Sequence, residues 1–104
     1  MKKIWYDNNN TMYVRLNPEK CKQKSFYGKA FYAMPDTDTT QYILYSYNTP
    51  VLFYMPYGDN GEKLIRIYDE TLLTHTTLKH VKEFLQQKGC KIGTKSELIK
   101  MYCK

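Results

Sequence analysis

The sequence predicts an α+β domain: a mostly antiparallel sheet of about four to six strands with two C-terminal helices packed on one face. Three observations predict it. Short β-favouring runs punctuated by Asn, Gly and Pro occupy residues 4–68; the apolar period lengthens to that of a helix near Thr76; and a second helical start follows at Thr94. Strands first and helices last is the order expected when helices segregate to one side of an antiparallel sheet. The 104 residues fit one domain, 1–104, with an N-terminal hairpin and loop (1–23), a core (24–89) and a C-terminal helix (90–104).

Ile4, Trp5 and Tyr6 precede the turn-forming Asn8-Asn9-Asn10, and Met12 to Leu16 follow, which reads as a hairpin. Asn17-Pro18 breaks the pattern, and lysine-rich residues 19–24 form a loop. Ser25 to Met34 reads as a strand, with Gly28 marking a bulge or a close backbone approach. After the loop Pro35–Thr40, Gln41 to Asn48 is apolar or aromatic on both faces, as expected of a central strand covered on both sides. Pro50 cannot donate to a ladder, so this strand is expected to bend there and continue through Val51–Met55. Asn60-Gly61 signals a second hairpin, returning along Lys63–Tyr68.

From Thr76, residues Thr77, Leu78, Val81, Phe84, Leu85 and Lys88 share one side of a helical wheel, with Lys79, Glu83, Gln86 and Gln87 on the other. Gly89 ends this helix. Thr94 and Glu97 form a capping box for the second, which presents Leu98, Ile99, Met101 and Tyr102.

The start MKKIWYDNNN turns polar too early for a signal peptide, and no apolar run approaches the roughly 20 residues that span a bilayer. Cys21, Cys90 and Cys103 form no CxxC pair, and an odd number suits no closed disulfide framework. The expected location is the cytoplasm of a host cell. Nucleophilic catalysis needs a nucleophile, a base and a group that orients the base. His75 and His80 are the two histidines, no GxSxG motif is present, and the five glycines stand too far apart for a phosphate loop. Asp36 and Asp38 read as turn formers. The expectation is a non-enzyme without metal or cofactor.

Three binding surfaces remain as candidates. The chain carries 11 tyrosines, each an apolar ring with a hydroxyl that needs water or a partner, and Tyr27, Tyr32, Tyr45 and Tyr47 are candidates for an aromatic sheet face. The net charge of +6 is concentrated late: residues 78–104 hold seven lysines against Glu83 and Glu97. Lys79, Lys82, Lys91, Lys95 and Lys100 thus form a basic helical surface, suited to phosphate or to an acidic protein, or else simply solvated. Thr76, Thr77 and His80, where the first helix begins, form either an anion-binding corner or a cap with a histidine that hydrogen-bonds a strand end.

Three segments together, KSFYGKA (24–30), LYSYNTPV (44–51) and TTLKHVKEFL (76–85), resemble in order and spacing a family of small phage and mobile-element proteins from Gram-positive bacteria, described only as a domain of unknown function. The resemblance covers about residues 24–89. Its pattern singles out Ser25, Tyr27, Gly28, Ser46, Tyr47, Thr49, Thr76, Thr77, His80 and Phe84; Thr74, where serine is more usual, and Pro50 depart from it. It implies a phage or mobile-element setting. The expected function is a non-enzymatic protein, monomer or homodimer, that binds a host protein or ribonucleoprotein complex, of the kind that inhibits host defence (anti-CRISPR type). The alternative is a basic nucleic-acid-binding accessory protein. No membrane role is expected.

Overall fold

The structure, a computed structural model, describes residues 4–6, 11–20, 26, 28–34, 41–56 and 63–103. Six strands follow one another, β1 (Ile4–Tyr6), β2 (Met12–Arg15), β3 (Ala30–Met34), β4 (Tyr42–Ser46), β5 (Thr49–Met55) and β6 (Leu64–Ile67). Each pairs antiparallel with its neighbour in sequence, so the sheet runs β1-β2-β3-β4-β5-β6 without a crossover. Helices α1 (His75–Gln87) and α2 (Lys95–Tyr102) come last, α1 packing across β4 and α2 against β6. The α+β architecture is the one the residue pattern predicts.

The first hairpin forms where expected, although its turn, like the Asn60-Gly61 turn and the loop holding Asp36 and Asp38, lies outside the described residues. Two strand expectations need correction. The Ser25–Met34 strand starts only at Ala30: Lys29 N–H donates to the Phe26 carbonyl at 2.9 Å, closing a turn in which Gly28 takes φ 72°. Gly28 therefore enters the strand from a turn rather than bulging its interior.

The second correction concerns residues 41–55, which do not form one bent strand. They fold back at Tyr47-Asn48, with φ 53° and 66°, into a two-residue hairpin. Positive φ at both central positions suits the right-handed twist of the flanking strands. Asn48 tolerates that conformation, but a tyrosine there is an outlier that tertiary contacts must hold. One such contact is the Tyr47 N–H, which donates to the Lys29 carbonyl at 2.8 Å. The register slips by one between Leu44 and Tyr45, which face Leu52 and Pro50, leaving Val51 as the extra residue of a bulge. Pro50 thus sits where the ladder is already interrupted.

Residues opposite one another in an antiparallel pair share a face. The registers place Leu16, Ala30, Tyr32, Leu44, Ser46, Leu52, Tyr54, Ile65 and Ile67 towards the helices. Leu73, Val81, Phe84, Leu85 and Leu98 meet them from above in one buried cluster with Phe26. β4 is central, as expected, but among the described residues helices cover only one of its two apolar faces.

Helix boundaries follow from their caps. Thr74 Oγ1 accepts the Thr77 N–H at 3.4 Å, and the Thr94–Glu97 capping box is complete in both directions. At the far end of α1, Cys90 N–H donates to the Leu85 carbonyl and Gly89 N–H to that of Gln86, the paired closure that requires a left-handed residue between them. Gly89 supplies it with φ 73°. Nothing lies within 4 Å of where a Cβ would stand at Gly89, so only backbone conformation opposes a side chain there. Gly89→Ala is expected to cost about 1 kcal/mol, read as a lower urea midpoint with an unchanged m-value.

Candidate functional site

Three groupings of side chains come together, two inside and one outside. The first joins α1 to the end of β4. Ser46 stands on the helix side opposite Ala30, whose small side chain leaves room above it. Its Oγ lies 2.8 Å from Thr77 Oγ1 and 2.8 Å from His80 Nδ1. All three residues are buried. The chain satisfies itself in either direction: Thr77 donates to Ser46 and Ser46 to Nδ1, or Nδ1–H donates to Ser46 and Ser46 to Thr77. The Phe26 ring stands edge-on to the imidazole at 4.6 Å between centroids, and Tyr47 lies over the same imidazole at 5.9 Å. Burial lowers the His80 pKa from 6.5 to about 4, so the ring is neutral near pH 7.

The Thr76–Thr77–His80 corner is engaged from within the fold. Thr77 and His80 turn inward and spend their polar atoms on Ser46, while Thr74 caps the helix; Thr76 is half-buried. An uncharged, enclosed imidazole offers an anion neither charge nor access. His80 hydrogen-bonds a strand end.

The second grouping corrects the helical wheel. Glu83, placed on the solvated side by periodicity, is 1% exposed. Its carboxylate accepts the Lys20 N–H at 2.9 and 3.1 Å and the Gln87 Nε2 at 2.6 Å, and Gln87 Nε2 also donates to the Asn17 carbonyl at 2.8 Å. The segment after β2 crosses this flank of α1, and its backbone groups need partners there. Glu83 and Gln87 supply them.

The third grouping occupies the sheet face away from the helices. Trp5, Tyr13, Phe31 and Tyr45 lie on β1, β2, β3 and β4 in adjacent positions. Trp5 stacks on Tyr13 with centroids 5.6 Å apart, and Phe31 stacks on Tyr45 at 4.9 Å, each pair with an interplanar angle of 11°. Edge-to-face contacts of Trp5 with Phe31 (5.4 Å) and Tyr13 with Phe31 (5.8 Å) join the two pairs. Ile43 and Phe53, opposite each other on β4 and β5, extend the surface, and Arg15 and Arg66 share the same face by register. Among the described residues, no helix lies over this ladder.

The tyrosines predicted for one face separate. Tyr45 belongs to the ladder. Tyr32 is on the covered side, where its ring meets Phe84 at 5.4 Å and Tyr42 at 5.7 Å, and Lys88 Nζ sits 4.9 Å from its centroid and 4.5 Å from that of Tyr42. Burial holds the Lys88 ammonium below its ordinary pKa. Tyr47 is exposed at the hairpin turn, and Tyr27 lies outside the described residues. Side-chain alternation explains the split: Tyr32 and Tyr45 have opposite parity once β3 is registered against β4. The ladder's Trp5, Tyr13 and Phe53 were missed as site residues, because choosing them requires the registers across five strands. Of the predicted lysines, Lys79, Lys91, Lys95 and Lys100 are exposed and Lys82 is half-buried, on the helices or in the segment between them.

Among the described residues, no cluster of His, Cys, Asp and Glu has the makings of a metal site, and no helix is long and apolar enough to cross a membrane. A family model described as a family of unknown function, DUF8033, matches residues 14–100, a wider span than the 24–89 carrying the motif resemblance and one that takes in the end of β2 and most of α2. No curated protein and no solved structure matches the chain.

Two outcomes follow from the buried chain. Ser46→Ala strands Thr77 and His80 in the interior and is expected to cost about 1–3 kcal/mol, measured by urea unfolding with circular dichroism. For His80, the folded pKa lies below the unfolded one, so the unfolded chain binds the proton first as pH falls. The His80 contribution to stability is therefore full above about pH 6.5, declines as pH drops towards 4, and levels off below that. His80→Gln is expected to flatten stability across that window relative to the parent protein.

Proposed function

The chain belongs to the family of unknown function DUF8033, a membership that brings no activity with it, and we propose that it is a non-enzymatic binding protein whose docking surface is the open aromatic face of the sheet. The observation that carries this reading is the Trp5–Tyr13–Phe31–Tyr45 ladder, four rings in mutual contact with no described helix above them. The four rings are each half-buried, largely by one another, and a contiguous apolar surface of this kind on a small domain marks an interaction site. Trp, Tyr and Arg are also the residues that carry most binding energy at protein interfaces, and this face holds all three.

A protein partner fits better than a nucleic acid. Single-strand binders place cationic side chains beside the rings that stack bases. Here the late lysines ride on the helical layer, on the other side of the sheet, and the aromatic face has only Arg15 and Arg66 as described cations. Four ring faces are also already taken up in the two stacked pairs. The resemblance to phage and mobile-element proteins supports a partner in the host cell, a protein or a ribonucleoprotein complex blocked by occlusion. A defence complex, inhibited in the anti-CRISPR manner, is the finer form of the proposal.

The test compares capture from host lysate by the parent chain and by a Tyr45→Arg/Phe53→Arg variant whose fold is checked by circular dichroism. A specific host protein should be retained by the parent, resist nuclease treatment and be reduced at least about tenfold by the open-face variant. Retention that survives the variant, or that nuclease or moderate salt abolishes, overturns the proposal in favour of phosphate contacts by the helical lysines.

A further inference from the structure

We propose that Tyr32, Tyr42 and Phe84 form a binding box for a quaternary ammonium group, and that Lys88 fills the box until such a ligand displaces it. The site lies on the helix side of the sheet and does not depend on what docks on the open face. Strand register and helical period assemble it. Tyr32 on β3 stands opposite Leu44, two residues along β4 from Tyr42, so both tyrosines face α1. Phe84 comes down from α1 to meet Tyr32, and Lys88, four residues on, lies on the same side of the helix one turn later.

The rings are inclined to one another, Tyr32 at 55° to Tyr42 and at 60° to Phe84, so their faces converge on one point. The Lys88 Nζ occupies that point, 4.5 Å from the centroid of Tyr42, 4.9 Å from that of Tyr32 and 5.7 Å from that of Phe84. These dimensions suit a methylated nitrogen. A methyl carbon in contact with a ring stands about 3.5–4.0 Å from its atoms, and a nitrogen one bond behind it is about 1.5 Å further away. A quaternary nitrogen thus rests about 5 Å from each ring, and the three distances straddle that value.

The chemistry points the same way. A primary ammonium has three N–H donors, and those of Lys88 meet no acceptor among the described residues. Burial also holds this ammonium below its ordinary pKa, so the rings do not recover all that it loses on leaving water. A quaternary ammonium has no donor to satisfy, keeps its charge at every pH and meets ring faces through its methyl groups. Glu19 adds negative charge close enough to act on the Tyr32 phenol. Tyr32, Tyr42 and Lys88 are each half-buried, which leaves the box open to solvent on one side. Lys88 ends α1 beside the exposed Gly89, where its flexible stem can swing outward and leave the helix in place.

NMR titration of the full chain with tetramethylammonium chloride tests the site, with ammonium chloride at equal ionic strength as the control. Saturable shifts are expected in the ring protons of Tyr32, Tyr42 and Phe84 with the first salt and not with the second. Lys88→Ala removes the tethered competitor and should tighten binding at least about tenfold. Tyr42→Leu keeps an apolar side chain without a ring face and should weaken it at least about tenfold, with the fold checked by circular dichroism. Two further titrants identify the source of the group. Tighter binding of a short trimethyllysine peptide than of choline assigns it to a protein, and the reverse assigns it to a choline headgroup. No saturable shift at these rings in either the parent or Lys88→Ala, or equal shifts with ammonium, overturns the proposal. So does binding that Lys88→Ala or a folded Tyr42→Leu leaves unchanged.

Discussion

The placement of α1 on the sheet depends on one buried chain of hydrogen bonds, from Thr77 through Ser46 to His80. Apolar packing alone would let a helix slide or rotate over a surface of Leu, Ile and aromatic rings at little cost, since dispersion is weakly directional. Three polar atoms enclosed together permit one arrangement, because any displacement strands at least one of them away from water. Glu83 and Gln87 do the same on the adjoining flank by engaging Asn17 and Lys20. With α1 held in register, Phe84 falls between Tyr32 and Tyr54, and Lys88 reaches the rings of Tyr32 and Tyr42. The helices are thereby committed to one face, and the ladder on the other is the consequence.

What the residues announce and what they conceal divides along range. Both helices were legible, because a capping box, a C-terminal glycine and a period of 3.6 are local signals. The strands around the Asn-rich and Asn-Gly turns were legible for the same reason. The Tyr47-Asn48 turn was not, since nothing local distinguishes a tyrosine that tertiary contacts hold at φ 53° from one continuing a strand. Missing that turn removes one strand boundary, and with it the parity that separates Tyr32 from Tyr45. Glu83 was hidden for a related reason: a helical wheel shows which side is polar, but not that a neighbouring segment crosses the polar side and needs an acceptor there.

His80 shows how far a local reading reaches. Its place on the flank of the apolar stripe pointed to a hydrogen bond with a strand end, and Ser46 at the end of β4 is that partner. Five of the ten positions singled out by the motif resemblance lie in or beside this chain of hydrogen bonds and the core below it. Ser46, Thr77 and His80 form the chain, Tyr47 packs on the imidazole, and Phe84 lies in the core beneath α1. Neither Trp5, Tyr13, Phe31 nor Tyr45 is among those positions. Ser46, Tyr47, Thr77, His80 and Phe84 belong to the frame that fixes α1 to the sheet.

An aromatic face with no helix over it among the described residues is also a hazard, because any apolar surface offers it a partner. The distribution of charge limits that hazard. The +6 excess keeps copies of the chain apart at long range, and the late lysines sit on the helical layer, so that Arg15 and Arg66 are the described cations of the aromatic face. Repulsion between like molecules is then felt before contact, whereas attraction operates only when a surface of matching shape arrives. Net charge opposes indiscriminate association, and local apolarity rewards the complementary one. Reversing the arrangement, with lysines among the rings and a neutral helical layer, would leave the net charge unchanged but require each lysine to be desolvated as a partner bound.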